Sequence, residues 1–134
     1  MRVQIENRDF REILKLYDTP DTLFYLDPPY VLETRRDPDT KYTYEMTLDD
    51  HKDLVQLLLQ IQGKAVLSGY QHEVYTPLEQ SGWVRHDFLT GCHAAGRTRA
   101  TGILGEGAAL KKQPRVESVW VSPKAQYRQQ LRLL

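Results

Sequence analysis

Apolar positions along the chain recur with two spacings, and the changes between them mark the element boundaries. VQI at 3–5 predicts a short strand. The stripe Phe10, Ile13, Leu14 and Tyr17 predicts a helix over about 8–17, with Asn7 as its cap. DTPD at 18–21 is a turn, because Pro20 disfavours further helix. TLFYL at 22–26 is apolar without strict alternation, which predicts an interior strand covered on both faces. The two prolines that follow end any ladder. Residues 31–46 are charged and irregular, a long connection of the kind that often carries function. Thr47 then predicts a helix cap, with Asp49 and Asp50 in the first turn where negative charge suits the dipole. His51, Leu54, Leu57, Leu58 and Ile61 share one face of that helix, and Gly63 is its expected stop.

KAVLS at 64–68 predicts the next strand. A helix follows, with Thr76 as cap, Pro77 at its first position and its end before Gly82. WVRHDFL at 83–89 and RVESVWV at 115–121 predict two more strands, and the tail from Lys124 a short helix. Between those strands, residues 91–114 hold five glycines and no amphipathic segment of helix length. Strands alternating with helices imply an α/β fold. The missing helix between the last two strands implies that they pair antiparallel and make the sheet mixed.

The 134 residues suffice for one domain with a proper core, and 40% hydrophobic with 27% charged residues is ordinary globular composition. Eighteen basic and 18 acidic side chains cancel, which excludes a strongly basic nucleic-acid wrapper and an acidic disordered tail. Cys92 is the lone cysteine, so there is no internal disulfide and no zinc site needing several thiolates. No run approaches the roughly 18 apolar residues needed to span a bilayer, and MRVQIENRDF has no secretory segment. A soluble cytoplasmic protein without a membrane partner is the expectation. The charge is graded: residues 1–50 carry seven Lys or Arg against twelve Asp or Glu, whereas residues 81–115 carry six against two. Such asymmetry suits a polar site that also meets a polyanion, and equally a solvated surface.

The sharpest local feature is Asp27-Pro28-Pro29-Tyr30, directly after an apolar strand. Ligands in open α/β sheets bind beyond the carboxyl ends of strands. The diproline removes two donors and fixes both φ angles, leaving the carbonyls of Asp27 and Pro28 as rigidly placed acceptors. With the flat ring of Tyr30 beside them, they would suit an exocyclic amino group on a base. A proline-rich turn with a capping Asp and a packing Tyr fits the same residues. Tyr42 and Tyr44 in the following loop, and Ser68 and Tyr70 after a strand, are further candidates to line a pocket. Arg85, Arg97, Arg99, Lys111 and Lys112 are candidate phosphate contacts. His51 reads as helix packing. His86 and His93 near Cys92 lack metal-site spacing, and Glu117 is either an edge residue or a buried partner.

FYLDPPY at 24–30 resembles the catalytic motif of amino-group methyltransferases acting on DNA. VQIENRDF before it, and DH at 50–51, LSGY at 67–70, GW at 82–83 and ESVW at 117–120 after it, extend the resemblance to the Dam-like (D12 class) adenine-N6-specific branch. The resemblance implies a partial Rossmann-like methyltransferase fold, a mixed β-sheet with flanking helices, and methyl transfer from S-adenosylmethionine to N6 of adenine in duplex DNA without a metal, as in restriction-modification. Asp27, Pro28, Pro29 and Tyr30 would be catalytic, with Asp27 also meeting the donor. Tyr42, Tyr44, Ser68, Tyr70, Arg97, Arg99, Lys111 and Lys112 would meet the DNA substrate. The family's F-x-G-x-G donor motif and its helical target-recognition segment have no counterpart in these residues. The expectation is therefore a single, truncated C-terminal part of a catalytic domain, weak or inactive alone, partnered by the missing N-terminal part or a second copy. A non-catalytic DNA-binding remnant and an amino-group methyltransferase acting on RNA or protein are the alternatives.

Overall fold

A computed structural model describes residues 1–34, 44–90 and 115–126. Four strands, β1 (Leu23–Leu26), β2 (Lys64–Gly69), β3 (Val84–Thr90) and β4 (Arg115–Val121), form one sheet in the order β1-β2-β4-β3. β1 and β2 are parallel, joined through helix α2 (Leu48–Leu58). β4 runs antiparallel to both neighbours, so the sheet is mixed, as the lack of a helix-length amphipathic segment in the sequence between the last two strands implies.

Helix α1 (Phe10–Tyr17) begins two residues later than its apolar stripe implies, because Asp9 rather than Asn7 caps it, accepting from the Arg11 N–H at 2.8 Å. Helix α2 starts where its sequence places it. Thr47 accepts from Asp50 N and Asp50 accepts from Thr47 N, a reciprocal capping box. The helix ends at Leu58, before Gly63, whose role lies instead at the entry to β2. The third helix, α3 (Thr76–Gln80), takes Thr76 into its first turn and leaves Tyr75 at the N-cap position with no side-chain cap bond, because a 3-10 turn over Glu73–Tyr75 runs straight into it. Of the tail, Pro123–Ala125 form a 3-10 turn, and residues 127–134 lie outside the described set.

Two strand expectations are corrected. VQI at 3–5 forms no strand, and Val3 and Ile5 are exposed; three residues without a neighbouring strand have no ladder to join. TLFYL is not an interior strand covered on both faces. β1 is an edge of the sheet, with Phe24 buried and Leu23 and Tyr25 exposed. The core lies on one side of the sheet. Phe24, Ala65, Leu67 and Trp120 meet Leu54, Val55 and Leu58 of α2, Leu78 of α3 and Tyr75. His51, fully buried on α2, shares a 2.9 Å hydrogen bond with Tyr75 Oη, which places it in packing as its helical stripe implies.

Candidate active site at the carboxyl edge of the parallel strands

Asp27 is the first residue past β1, whose last residue, Leu26, pairs with Leu67 of β2. The parallel pair therefore delivers both chains to the same edge of the sheet, Asp27 from one strand and Ser68 to Tyr70 from the other. Asp27 is exposed, and its carboxylate has no hydrogen-bond partner among the described residues. Pro28, Pro29 and Tyr30 are half-buried, and all peptide bonds described are trans. The structure brings Tyr30 and Tyr70 together: their ring centroids are 4.4 Å apart and their planes tilted by 55°. Ser68 lies on β2, half-buried and in register with Val119 of β4.

Tyr44 stands apart from that ring pair. It is exposed and lines a cavity of about 540 Å³ with Asp9, Phe10, Pro29, Met46 and Asp50, to which neither Tyr30 nor Tyr70 contributes. Arg11 closes this wall, bonding Asp50 at 2.7 Å, Asp53 at 2.8 Å and Asp9 at 3.2 Å. The Arg11 hydrogen bond, reinforced by Thr47, holds the Asp50 carboxyl down at about 2, and the same carboxylates raise the Arg11 guanidinium further. Of the cavity residues, Pro29 and Tyr44 stand out as site candidates in the sequence, whereas the NRDF run at 7–10, which supplies four more, enters only as part of the family resemblance.

Tyr42, Arg97, Arg99, Lys111 and Lys112 lie outside the described residues, as do Cys92 and His93. Arg85 is bound by two carboxylates, Glu79 at 3.0 Å and Asp87 at 3.1 Å, which leaves it poorly suited to a phosphate contact. Glu117 is half-buried and lies in register with Phe88 of β3. Among the described residues no group of three or more His, Cys, Asp and Glu side chains could hold a metal ion, and no helix is long and apolar enough to cross a membrane.

Against known families, the D12 class N6 adenine-specific DNA methyltransferases match residues 1–86, from the chain's start through the motif and into β3. The chain belongs to this family. No curated protein and no solved structure matches it. The family match covers α1, the Asp27–Tyr30 motif, α2, β2 and α3, and so takes in the motif and all the described cavity-lining residues. The mixed sheet with flanking helices is consistent with a methyltransferase-like α/β fold.

Proposed function

We propose that the chain carries the target-base half of an adenine-N6 DNA methyltransferase site on a partial Rossmann-like sheet. The observation that carries this reading is the convergence, at one sheet edge, of an exposed Asp27 carboxylate without a partner among the described residues, two prolines and the Tyr30–Tyr70 ring pair, within a chain of this family. In this reading a flipped adenine stacks against Tyr30, at a cost of a few kcal/mol for leaving the duplex. Asp27 Oδ and the Pro28 carbonyl accept from the N6 amino group. Positive charge grows on that nitrogen as it attacks, so acceptors already in place stabilise the transition state more than the ground state. Asp27 then takes the proton, which becomes acidic once the new bond has formed.

S-adenosylmethionine, when bound, would supply a sulfonium methyl group to the N6 lone pair, the electron pair of the broken C–S bond staying on sulfur. In this reading the cavity beside Pro29 would hold part of the donor, with Phe10, Met46 and Tyr44 as apolar and aromatic walls for a planar heterocycle among otherwise charged and polar lining. The F-x-G-x-G donor motif is not among these residues, which is why donor binding is expected to be weak for the chain alone.

The test is transfer of a labelled methyl group to adenine-containing duplex DNA. It compares the chain, its Asp27→Ala variant, and the chain mixed with a polypeptide carrying the donor motif, with RNA and peptide as competing acceptors. Transfer that appears on mixing and is lost in the variant supports the reading. Transfer by the chain alone keeps the catalytic reading and overturns weak donor binding. Silence from folded protein in every mixture overturns the catalytic reading, and preference for RNA or peptide overturns the substrate.

A further inference from the structure

Among the described residues, the turn that follows the Asp-Pro-Pro-Tyr run is held from three directions. At its start, Tyr30 leans on Tyr70. In its middle, Glu33 accepts from His72 Nε2 at 3.1 Å. His72 Nδ1 accepts from the Val74 N–H at 3.0 Å, which leaves Nε2 as the donor facing Glu33. At its end, Arg115 donates to the Thr34 carbonyl at 2.7 Å. Arg115 also donates to Tyr70 Oη at 3.3 Å, and its guanidinium carbon lies 4.6 Å from the centre of the Tyr70 ring.

Arg115 thus touches both the far end of the turn and the ring against which Tyr30 rests. It is half-buried, and no carboxylate among the described residues pairs with it. A guanidinium that spends its donors on a carbonyl and a phenol is placed by geometry, not by charge neutralisation. Its planar fork can reach both acceptors while stacking on a ring, which an ammonium cannot do. β4 begins at Arg115 and pairs in register with β2, so the fork is anchored to the sheet that carries Tyr70.

We infer that Arg115 is a positioning residue of the base site, fixing Tyr70 and the turn over residues 30–34 so that Tyr30 presents its ring to a planar, amino-bearing base. This inference rests on the reading of Asp27–Tyr30 given under Proposed function. The experiment introduces 3-fluorotyrosine at Tyr30 and records its fluorine resonance in the full chain and in the Arg115→Ala and Arg115→Lys variants. Each is titrated with adenosine monophosphate, and thermal unfolding checks the fold. Expected in Arg115→Ala is a shifted or broadened Tyr30 resonance and about tenfold weaker nucleotide binding, from looser stacking. Arg115→Lys, which keeps one donor, is expected to recover part of both. An unchanged Tyr30 resonance in either folded variant overturns the inference, and Arg115→Lys alone decides it should Arg115→Ala not fold. A resonance that moves in the variants, in a chain that never responds to the nucleotide, upholds the positioning role and overturns the base-site reading. A nucleotide response that is identical in all three proteins does the reverse.

Discussion

At Gly63 a single hydrogen atom in place of a side chain decides whether β2 can start. A Cβ built there would lie 2.7 Å from the Thr22 carbonyl oxygen and 2.9 Å from that of Thr19, both of them backbone. The same corner is tied by Asp18, which accepts from the N–H groups of Gln62 and Gly63 at 2.8 and 2.9 Å, and by the Lys64 N–H donating to Thr22 at 2.8 Å. None of these groups can withdraw without breaking another bond, so Gly63→Ala is expected to lose about 1–3 kcal/mol in urea unfolding. Asp50 makes a second prediction. Its carboxyl is held at about 2 in the folded chain against an ordinary 3.8, through Arg11 first and then Thr47. A depressed carboxyl stabilises the fold above its unfolded value and loses that contribution as pH falls through the folded one. Thermal midpoints should therefore drop more steeply between pH 4 and 2, the two values just given, in the wild type than in Asp50→Asn. At neutral pH that variant, having lost the charge that pairs with Arg11, should itself be weaker by about 1 kcal/mol.

Elements whose signals are local could be read from the sequence, and those that depend on distant partners could not. Helix α2 is specified by its own cap, its acidic first turn and one apolar stripe, and β4 by a seven-residue run rich in valine that Ser122-Pro123 closes. The same kind of reading misjudged β1, because apolar content says a strand is buried somewhere and leaves open whether it lies at an edge. Thr76 falls inside α3 and not at its cap for a related reason, since the 3-10 turn before it has no periodicity to detect. Within the site, Asp27 to Tyr30 are covalent neighbours and stand out as a motif. The tethers to Arg115 and His72 join residues 81 and 39 positions apart, beyond the reach of any local pattern. His51 and Tyr75 are another such pairing, linking α2 to the turn before α3. Burial pushes the Tyr75 phenol up to about 12, against about 10 in the unfolded chain. Its contribution is fully present below pH 10 and is lost as pH rises through the folded value of about 12. Tyr75→Phe removes that slope and the bond to His51 together. It should lose about 1–2 kcal/mol at neutral pH while unfolding with a flatter pH dependence in alkali, measured by denaturant titration between pH 7 and 11.

At the scale of the whole molecule the sheet has two unlike faces. One carries Phe24, Ala65, Leu67 and Trp120 into the helices. On the other, Tyr25, Val66, Val121 and Val84 fall in one row across all four strands, set by register. Phe88 lies further along the same face, opposite Glu117. Tyr25 is 71% exposed, Leu23 62% and Phe88 55%, so this second face is open apolar surface. Strands in a parallel pair are ordinarily covered on both sides, and β1 adds an unpaired edge to the open face. Surface of this kind drives association between copies as concentration rises. The double variant Tyr25→Lys, Phe88→Lys sets two charges on the open face and removes nothing from the core. Sedimentation velocity should show the wild type growing in mass with concentration, and the variant staying monomeric with less dye binding to its apolar surface. Because both positions are largely exposed, unfolding free energy should change by no more than about 0.5 kcal/mol for each substitution. A variant that associates as strongly as the wild type would mean that this face is not the sticky one. A large loss of stability would mean that the two rings belong to the packing of the fold.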